Sequence, residues 1–408
     1  MISVGIDVSK GKSTVAIVKP GDEILAAPYE VLHNYESLNL LAERLASYGE
    51  EVRVVMEATS HYHLPVSTYL AEKGVFVCVV NALRMKKFSA QDLRGAKTDE
   101  IDSLDIASYG LTYWSRLTPV LPVGKAYSEL RILSRQYHQM MSLTVKSKVN
   151  LSNLLDQVMP EIKTLLKDTD SNNKLTDFVR RYCHFENILA MGEQRFISDY
   201  CKWGKKQGYR NNERKAKEIF ALSQNGIPVL PNTATTKIVV LESVRILQET
   251  EKSRTVILTQ MQEIVKTLPE YSVVSDMGGI GKVLAPRVVA EVGDVRNFKS
   301  RGSLIAYAGI DVPPYQSGKF TATERKITKR GNKYLRKVGY EIMDSLIKNQ
   351  RYHPDDPVCK FILKKKAEGM KHKKALVAGL NKFLRIYFAR VSEVYDAILE
   401  DLVFASNV

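Results

Sequence analysis

The sequence predicts a chain that opens with an α/β layer and continues as two helical regions. Two changes of pattern carry this reading. Residues 2–8, 13–19, 52–56 and 75–80 are short apolar runs rich in β-branched side chains, as buried strands are. Beyond residue 125 the apolar positions instead recur at helical spacing over long stretches. At 408 residues the chain has room for two or three domains, each with its own core.

Taken in order, a further strand is expected around 23–33. Between the strands, Leu38, Leu41, Leu45 and Tyr48 follow a helical period, as do Leu64, Tyr69 and Leu70 ahead of a Lys73-Gly74 stop. Strands alternating with helices build an α/β layer. Then Leu130, Leu133, Tyr137, Met140, Thr144, Ser147, Leu151, Leu154 and Val158 keep the 3-4 register of a coiled-coil seam. Val240, Val244, Leu247, Leu258, Met261, Val265 and Leu268 repeat it, interrupted at Glu251 and Arg254. An intramolecular helical hairpin and an interface between subunits both fit these runs. Residues 170–235 read as helices broken at Ser171-Asn172-Asn173 and at Gly226-Ile227-Pro228, and residues 277–310 begin a compact helical C-terminal domain.

Lys and Arg number 60 against 45 Asp and Glu, a formal charge of +15, which favours a polyanionic partner. Cys78, Cys183, Cys201 and Cys359 are too scattered for a zinc or redox motif and suit a reducing, cytoplasmic setting. With no signal-peptide pattern and no apolar run of spanning length, no membrane insertion is expected.

Asp7 ends one apolar strand, in GIDVSK, and Glu57 ends another, in VVMEATSHYH. A carboxylate there needs a cation or loses solvation. Lys97-Thr98-Asp99-Glu100-Ile101-Asp102 opens an amphipathic helix, and the i, i+3 spacing sets Asp99 and Asp102 on one face, with Asp105 diverging around it. Such an oxygen-only quartet suits a pair of Mg²⁺ ions, which take hard ligands and leave positions open for phosphate oxygens. Each acid alone would more simply be a cap or a dipole partner; in strand-strand-helix order they give the layout of the ribonuclease-H-like nucleases. His61 and His63 have no matching ligand partners and are assigned to a helix surface.

From Lys319 to Lys337 eight basic residues, Lys319, Arg325, Lys326, Lys329, Arg330, Lys333, Arg336 and Lys337, face one acid, Glu324. That density is a phosphate-binding footprint. Lys364, Lys365, Lys366, Lys371, Lys373 and Lys374 form a second cluster. Just upstream, Tyr315-Gln316-Ser317-Gly318 places a serine in a Pro/Gly-rich loop, where a hydroxyl is accessible. A loop serine by itself is nearly always a turn residue. Met277-Gly278-Gly279-Ile280-Gly281-Lys282 resembles a helix-hairpin-helix clamp, with Gly279, Gly281 and Lys282 at the phosphate.

Together these blocks resemble the DEDD transposases of the insertion-sequence-110 type, relatives of the Piv DNA invertases. The N-terminal part matches through GIDVSK, EATSHYH, VVNALRMKKF and KTDEIDSLDIA, and the C-terminal part through GGIGKVLAPRVVAEVGD, LIAYAGI, QSGK and KITKRGNKYLRK. The resemblance implies a RuvC-like catalytic domain over 1–122, a helical, coiled-coil oligomerisation region over 123–270 and a helical transposase domain over 271–408. It places the family's four acids on Asp7, Glu57, Asp99 and Asp102 and its nucleophilic serine on Ser317. It further implies a dimer of dimers that recombines donor and target DNA under a structured guide RNA, a bridge RNA from the element itself, in the bacterial cytoplasm near the nucleoid. Ser60 and Ala82 depart from it, standing where many relatives carry Gly and Pro. A RuvC-like Holliday-junction nuclease would share the acids without needing the serine. An actin-like kinase would share the strand-Asp opening, but residues 9–14 (SKGKST) fit its phosphate loop poorly.

Overall fold

The computed structural model describes residues 1–21, 23–90, 98–120, 124–169, 172–210, 212–313, 316–317, 320–321 and 326–406. For residues 316–317, 320–321 and 402–406 the description is of backbone alone. The chain divides into two compact units, Met1–Gly124 and Lys125–Val408.

In the first unit the strands are β1 (Ile2–Val8), β2 (Lys12–Lys19), β3 (Glu23–Leu32), β4 (Val52–Glu57) and β5 (Phe76–Val80). Between and after them run α1 (Tyr35–Ala46), α2 (His63–Glu72), α3 (Ala82–Ser89) and α4 (Asp99–Thr112). The sheet order is β3-β2-β1-β4-β5. β1 pairs antiparallel with β2 and parallel with β4, which is parallel to β5. The central strands are apolar almost throughout because both faces of the sheet are covered. Leu38, Leu41 and Leu45 of α1 and Val66 and Leu70 of α2 cover one face; Ile106 and Tyr109 of α4 pack on Val55 and Cys78 of the other. This mixed five-stranded sheet with helices on both faces is the α/β layer the sequence predicts.

The second unit is built on two long helices, α5 (Lys125–Val158) and, after α6 (Ile162–Leu165), α7 (Lys174–Tyr182), α8 (Phe185–Met191), α9 (Glu193–Gln207) and α10 (Glu213–Asn225), α11 (Ala234–Val265). α5 and α11 pack against each other within the chain. The heptad positions Leu130, Tyr137, Thr144, Leu151 and Val158 are all buried, while Leu133, Met140, Ser147 and Leu154 stay partly exposed. The polar interruptions of the second run find partners on α5: Glu251 pairs with Lys148 at 2.8 Å, and Arg254 Nη1 reaches Met141 Sδ at 3.3 Å. At one end of this pair α7 to α10 enclose an aromatic core of Phe178, Tyr182, Phe196, Tyr200 and Trp203.

The other end enters a second core, formed with α12 (Tyr271–Ser275), α13 (Leu284–Val292), α14 (Arg301–Ala308), α15 (Lys333–Lys348), α16 (Pro357–Ala367) and α17 (His372–Ser406). Every residue from Ala285 to Val292 of α13 is buried, so this helix is the axis of that core. Glu270, 1 % exposed, accepts from Tyr127 and Tyr395 hydroxyls at 2.6 and 2.7 Å, joining α5 and α17 beside α12. Two short strands, β6 (Gln316–Ser317) and β7 (Phe320–Thr321), pair antiparallel between α14 and α15.

Candidate active site and nucleic-acid interface

Parallel pairing of β1 with β4 sets Ile6 opposite Met56, so the next residues of the two strands, Asp7, one residue before the end of β1, and Glu57, the last of β4, lie at the same sheet edge. α4 runs antiparallel to β1 across it. Ser3 Oγ donates to the Ala107 carbonyl at 2.7 Å, and Gly5 meets the backbone of Ser103 and Ala107 so closely that any Cβ there would overlap them. The N-terminus of α4 therefore lies at the edge where β1 ends. Thr98 caps it, its hydroxyl accepting from Ile101 N at 3.2 Å, and Asp99 and Asp102 occupy the first turn.

Asp99 and Asp102 sit beside Ser103, which faces the sheet, whereas Asp105 is displaced from Ser103 by about 200° around the helix at roughly 100° per residue. Asp7, Glu57 and Asp102 are partly buried and Asp99 is exposed. Lys12 of β2 is held protonated by its hydrogen bond and charge attraction to Glu30, with a weaker contribution from Asp99. The donor set is all carboxylate, the chemistry a hard cation takes. Among the described residues, no group of three or more His, Cys, Asp or Glu side chains is drawn together tightly enough to enclose a metal ion. The His61 and Tyr62 rings lie tilted at 50° with centroids 4.4 Å apart, and His63 Nδ1 lies 3.5 Å from the Thr59 carbonyl; both stay with their own helix start.

In the second unit, Ser317 lies in β6 with its backbone opposite Phe320. Its side chain, and Tyr315, Gly318, Lys319, Glu324 and Arg325, lie outside the described residues. Lys326, Lys329, Arg330, Lys333 and Lys337 are exposed, as a phosphate-contacting surface requires. Arg336 differs. Its Nη1 donates to the Ala308 and Gly331 carbonyls, each at 3.0 Å, so its guanidinium fastens the basic turn to the end of α14.

That turn is held from several sides. Asn332 caps α15, its Oδ1 accepting from Tyr334 N and Leu335 N, while its Nδ2 donates to Glu291 Oε2 at 2.9 Å. Glu291, wholly buried at the end of α13, also accepts from Ser134 Oγ at 2.7 Å and pairs with Arg135 at 2.9 Å. Arg135 in turn lies 3.7 Å over the Tyr334 ring. At Gly331 a Cβ would overlap the Tyr307 carbonyl, so only glycine lets the two segments meet. None of Glu291, Ser134 or Arg135 is distinguished in the sequence, because Glu291 lies 157 and 156 residues from Ser134 and Arg135 and 41 from Asn332; Asn332 alone carries a local signal, as a polar residue before a helix.

In Met277-Gly278-Gly279-Ile280-Gly281-Lys282 the glycines divide. Gly279, at φ +79°, lies against the Ile342 carbonyl and Leu346 of α15, so packing explains it. Gly281 faces open space and Lys282 is exposed, and both precede α13. Among the described residues no helix is long and apolar enough to cross a membrane.

The first unit carries acids at the C-terminal ends of β1 and β4 and at the start of α4, and the second carries an exposed basic turn. Residues 4–160 match the DEDD transposase family of IS110, and residues 271–355 match the transposase family IS116/IS110/IS902. The chain belongs to this IS110-type transposase family. It is 22 % identical over 395 residues to an uncharacterized protein of insertion element IS116 from Streptomyces clavuligerus, covering 96 % of this chain and 95 % of that one. It is 21 % identical over 352 residues to an uncharacterized protein of insertion element IS110 from Streptomyces coelicolor, covering 85 % and 83 %. A pilin gene-inverting protein of Moraxella bovis is 27 % identical over 138 residues, covering 33 % and 42 %. Among solved structures, Thermus thermophilus RuvC aligns at 16 % identity and a TM-score of 0.23, over 29 % of this chain and all of that one, 100 %.

Proposed function

We propose that this transposase cuts and rejoins DNA through a divalent-metal carboxylate site and a serine nucleophile. The observation that carries the metal half is the common sheet edge: β1, β4 and the start of α4 bring Asp7, Glu57, Asp99 and Asp102 to it. In this reading the four carboxylates would hold Mg²⁺, as a pair of ions that an all-oxygen quartet suits, and the metal would supply charge stabilisation at the reacting phosphate. The side chains themselves would neutralise the cations, orient them and leave room for DNA.

Ser317 Oγ attacks a DNA phosphorus, the bond from phosphorus to the outgoing deoxyribose oxygen breaks, and that oxygen leaves as a hydroxyl carrying the serine's proton. The phosphodiester is thereby kept as a protein-DNA link and rejoining runs the exchange backwards, so no external energy source is needed. A serine hydroxyl is a weak nucleophile and needs activation, which the acid site would provide. Lys326, Lys329, Arg330, Lys333 and Lys337, with Lys319 and Arg325, take phosphates, and Gly281 and Lys282 offer a second backbone contact. The same surface would hold a structured guide RNA, whose pairing relieves the protein of reading sequence, as in other RNA-guided systems.

Arg336 is better placed to fix the turn than to bind phosphate. Assembly into a dimer of dimers would use the partly exposed row Leu133, Met140, Ser147 and Leu154 of α5. A Holliday-junction nuclease gives no role to the transposase-matching residues 271–355. Asn or Gln at Asp7, Glu57, Asp99 or Asp102 should abolish Mg²⁺-dependent strand cleavage while preserving DNA binding, and Asp105→Asn should cleave normally. Wild-type cleavage by Asp102→Asn would remove the metal assignment.

A further inference from the structure

The stem of the Ser317 hairpin forms one wall of a groove of about 960 Å³ in the second unit. Two backbone bonds tie this stem, Thr328 N to the Asp311 carbonyl at 3.1 Å and Lys329 N to the Gly309 carbonyl at 2.9 Å. Ile310, Val312 and Ile327 line the groove from the stem; Phe361, Met370 and Val377 line it from α16, α17 and the loop between them. Its rim carries Lys326, Lys329, Lys373, Lys374, Lys382 and Arg385, and among the described residues no carboxylate lines it. The two basic clusters of the sequence, widely separated along the chain, thus meet across an apolar floor.

Charge and shape together narrow the occupant. Six cations on one rim call for a polyanion, and an apolar floor beneath them calls for a ligand with a flat, weakly polar face between its charges. Double-stranded DNA offers the charges but keeps its base faces stacked inside. A single strand offers both. Phe361 is partly exposed, with Lys382 Nζ 5.1 Å from its ring centroid, so an aromatic surface and a cation stand side by side. The volume is near the upper end of the roughly 300–1,000 Å³ typical of ligand pockets. Ser317 follows Val312 by five residues, so a strand in the groove is held at the base of the segment bearing the serine.

We propose that this groove seats unpaired DNA, with at least one unstacked base on Phe361 and Met370 and the flanking phosphates on Lys326, Lys329, Lys373 and Arg385. The proposal rests on the DNA-recombination reading above, and it adds a single-strand site on the unit that carries the serine.

The test uses the full-length chain and single-stranded oligonucleotides carrying 5-iododeoxyuridine, with photocross-links mapped by peptide sequencing. Cross-links to Phe361 or Met370, competed better by single strands than by duplex, are the expected result. Lys373→Gln with Arg385→Gln should lower single-strand affinity about tenfold and flatten the slope of its salt dependence by about 0.7 for each phosphate no longer neutralised. Cross-links confined to other segments, or equal competition by duplex, would overturn the proposal, as would preference for an acidic peptide over the oligonucleotide. Mapping on the unaltered chain keeps the test valid if the double variant fails to fold. Two outcomes with the unaltered chain separate the readings: groove cross-links without a protein-DNA adduct would remove the serine chemistry alone, and an adduct without groove cross-links would remove the groove alone.

Discussion

At Ser60 and Ala82, where the resemblance leads one to expect Gly and Pro, the backbone suits those residues. Ser60 has φ +47°, a left-handed conformation that glycine adopts without strain, and Ala82 is the first residue of α3 behind the Asn81 cap, where proline is favoured. Ser60→Gly and Ala82→Pro should therefore each raise unfolding free energy, by about 0.5–1 kcal/mol in urea titrations. His138 gives a pH dependence. Burial lowers its pKa from 6.5 to about 4, with the charges of Arg287 and Lys337 adding to the effect. The unfolded chain takes up this proton first as pH falls, so its contribution to stability is lost progressively from about 6.5 down to about 4 and is level below. His138→Phe should flatten that part of the stability profile; an unaltered profile would show that other groups set it.

Between elements, the decisive contacts are glycine approaches and long-range hydrogen bonds, and these govern how much could be read in advance. The strands were legible because burial on both faces makes them continuously apolar, and the four acids because each stands at an element's end. That β1, β4 and α4 share one edge depends on Gly5, whose meaning appears only when α4 lies on it. Gly5→Ala should push the first turn of α4 outward; since a misplacement of about 1 Å can cost on the order of 10²-fold in rate, cleavage should fall by about that much while the fold persists. The partner of the α5 heptads was not legible either, as the polar residues of α11 have matches on α5 that only the packed pair reveals. The clamp on the basic turn was silent for the same reason. Asn332→Ala should cost about 2–4 kcal/mol, combining loss of the cap with loss of the hydrogen bond to buried Glu291, and Asn332→Asp should be no better because it keeps the cap but sets a carboxylate against Glu291. Equal stability of both variants to the parent chain, measured by denaturant unfolding, would dissolve this clamp.

For the whole molecule the proposed chemistry would be divided: Asp7, Glu57, Asp99 and Asp102 belong to the unit Met1–Gly124 and Ser317 to the unit Lys125–Val408. Subunits would associate through α5, which separates two outcomes. Leu154→Glu, on the partly exposed row, should give smaller yet folded species in analytical ultracentrifugation, whereas Leu151→Glu, in a buried position, should unfold the chain. The central claim is that the two halves act on one phosphate, and trapping of the protein-DNA link tests it most directly. Wild-type protein with Mg²⁺ and cognate DNA and RNA should yield an adduct mapping to Ser317; Ser317→Ala and Asp102→Asn should each yield none. Mixing those two variants should restore some adduct if the acids and serine meet across subunits. Recombination by Ser317→Ala at the wild-type rate would contradict the claim, leaving the acids to work with water or a 3′-hydroxyl and the serine as a turn residue.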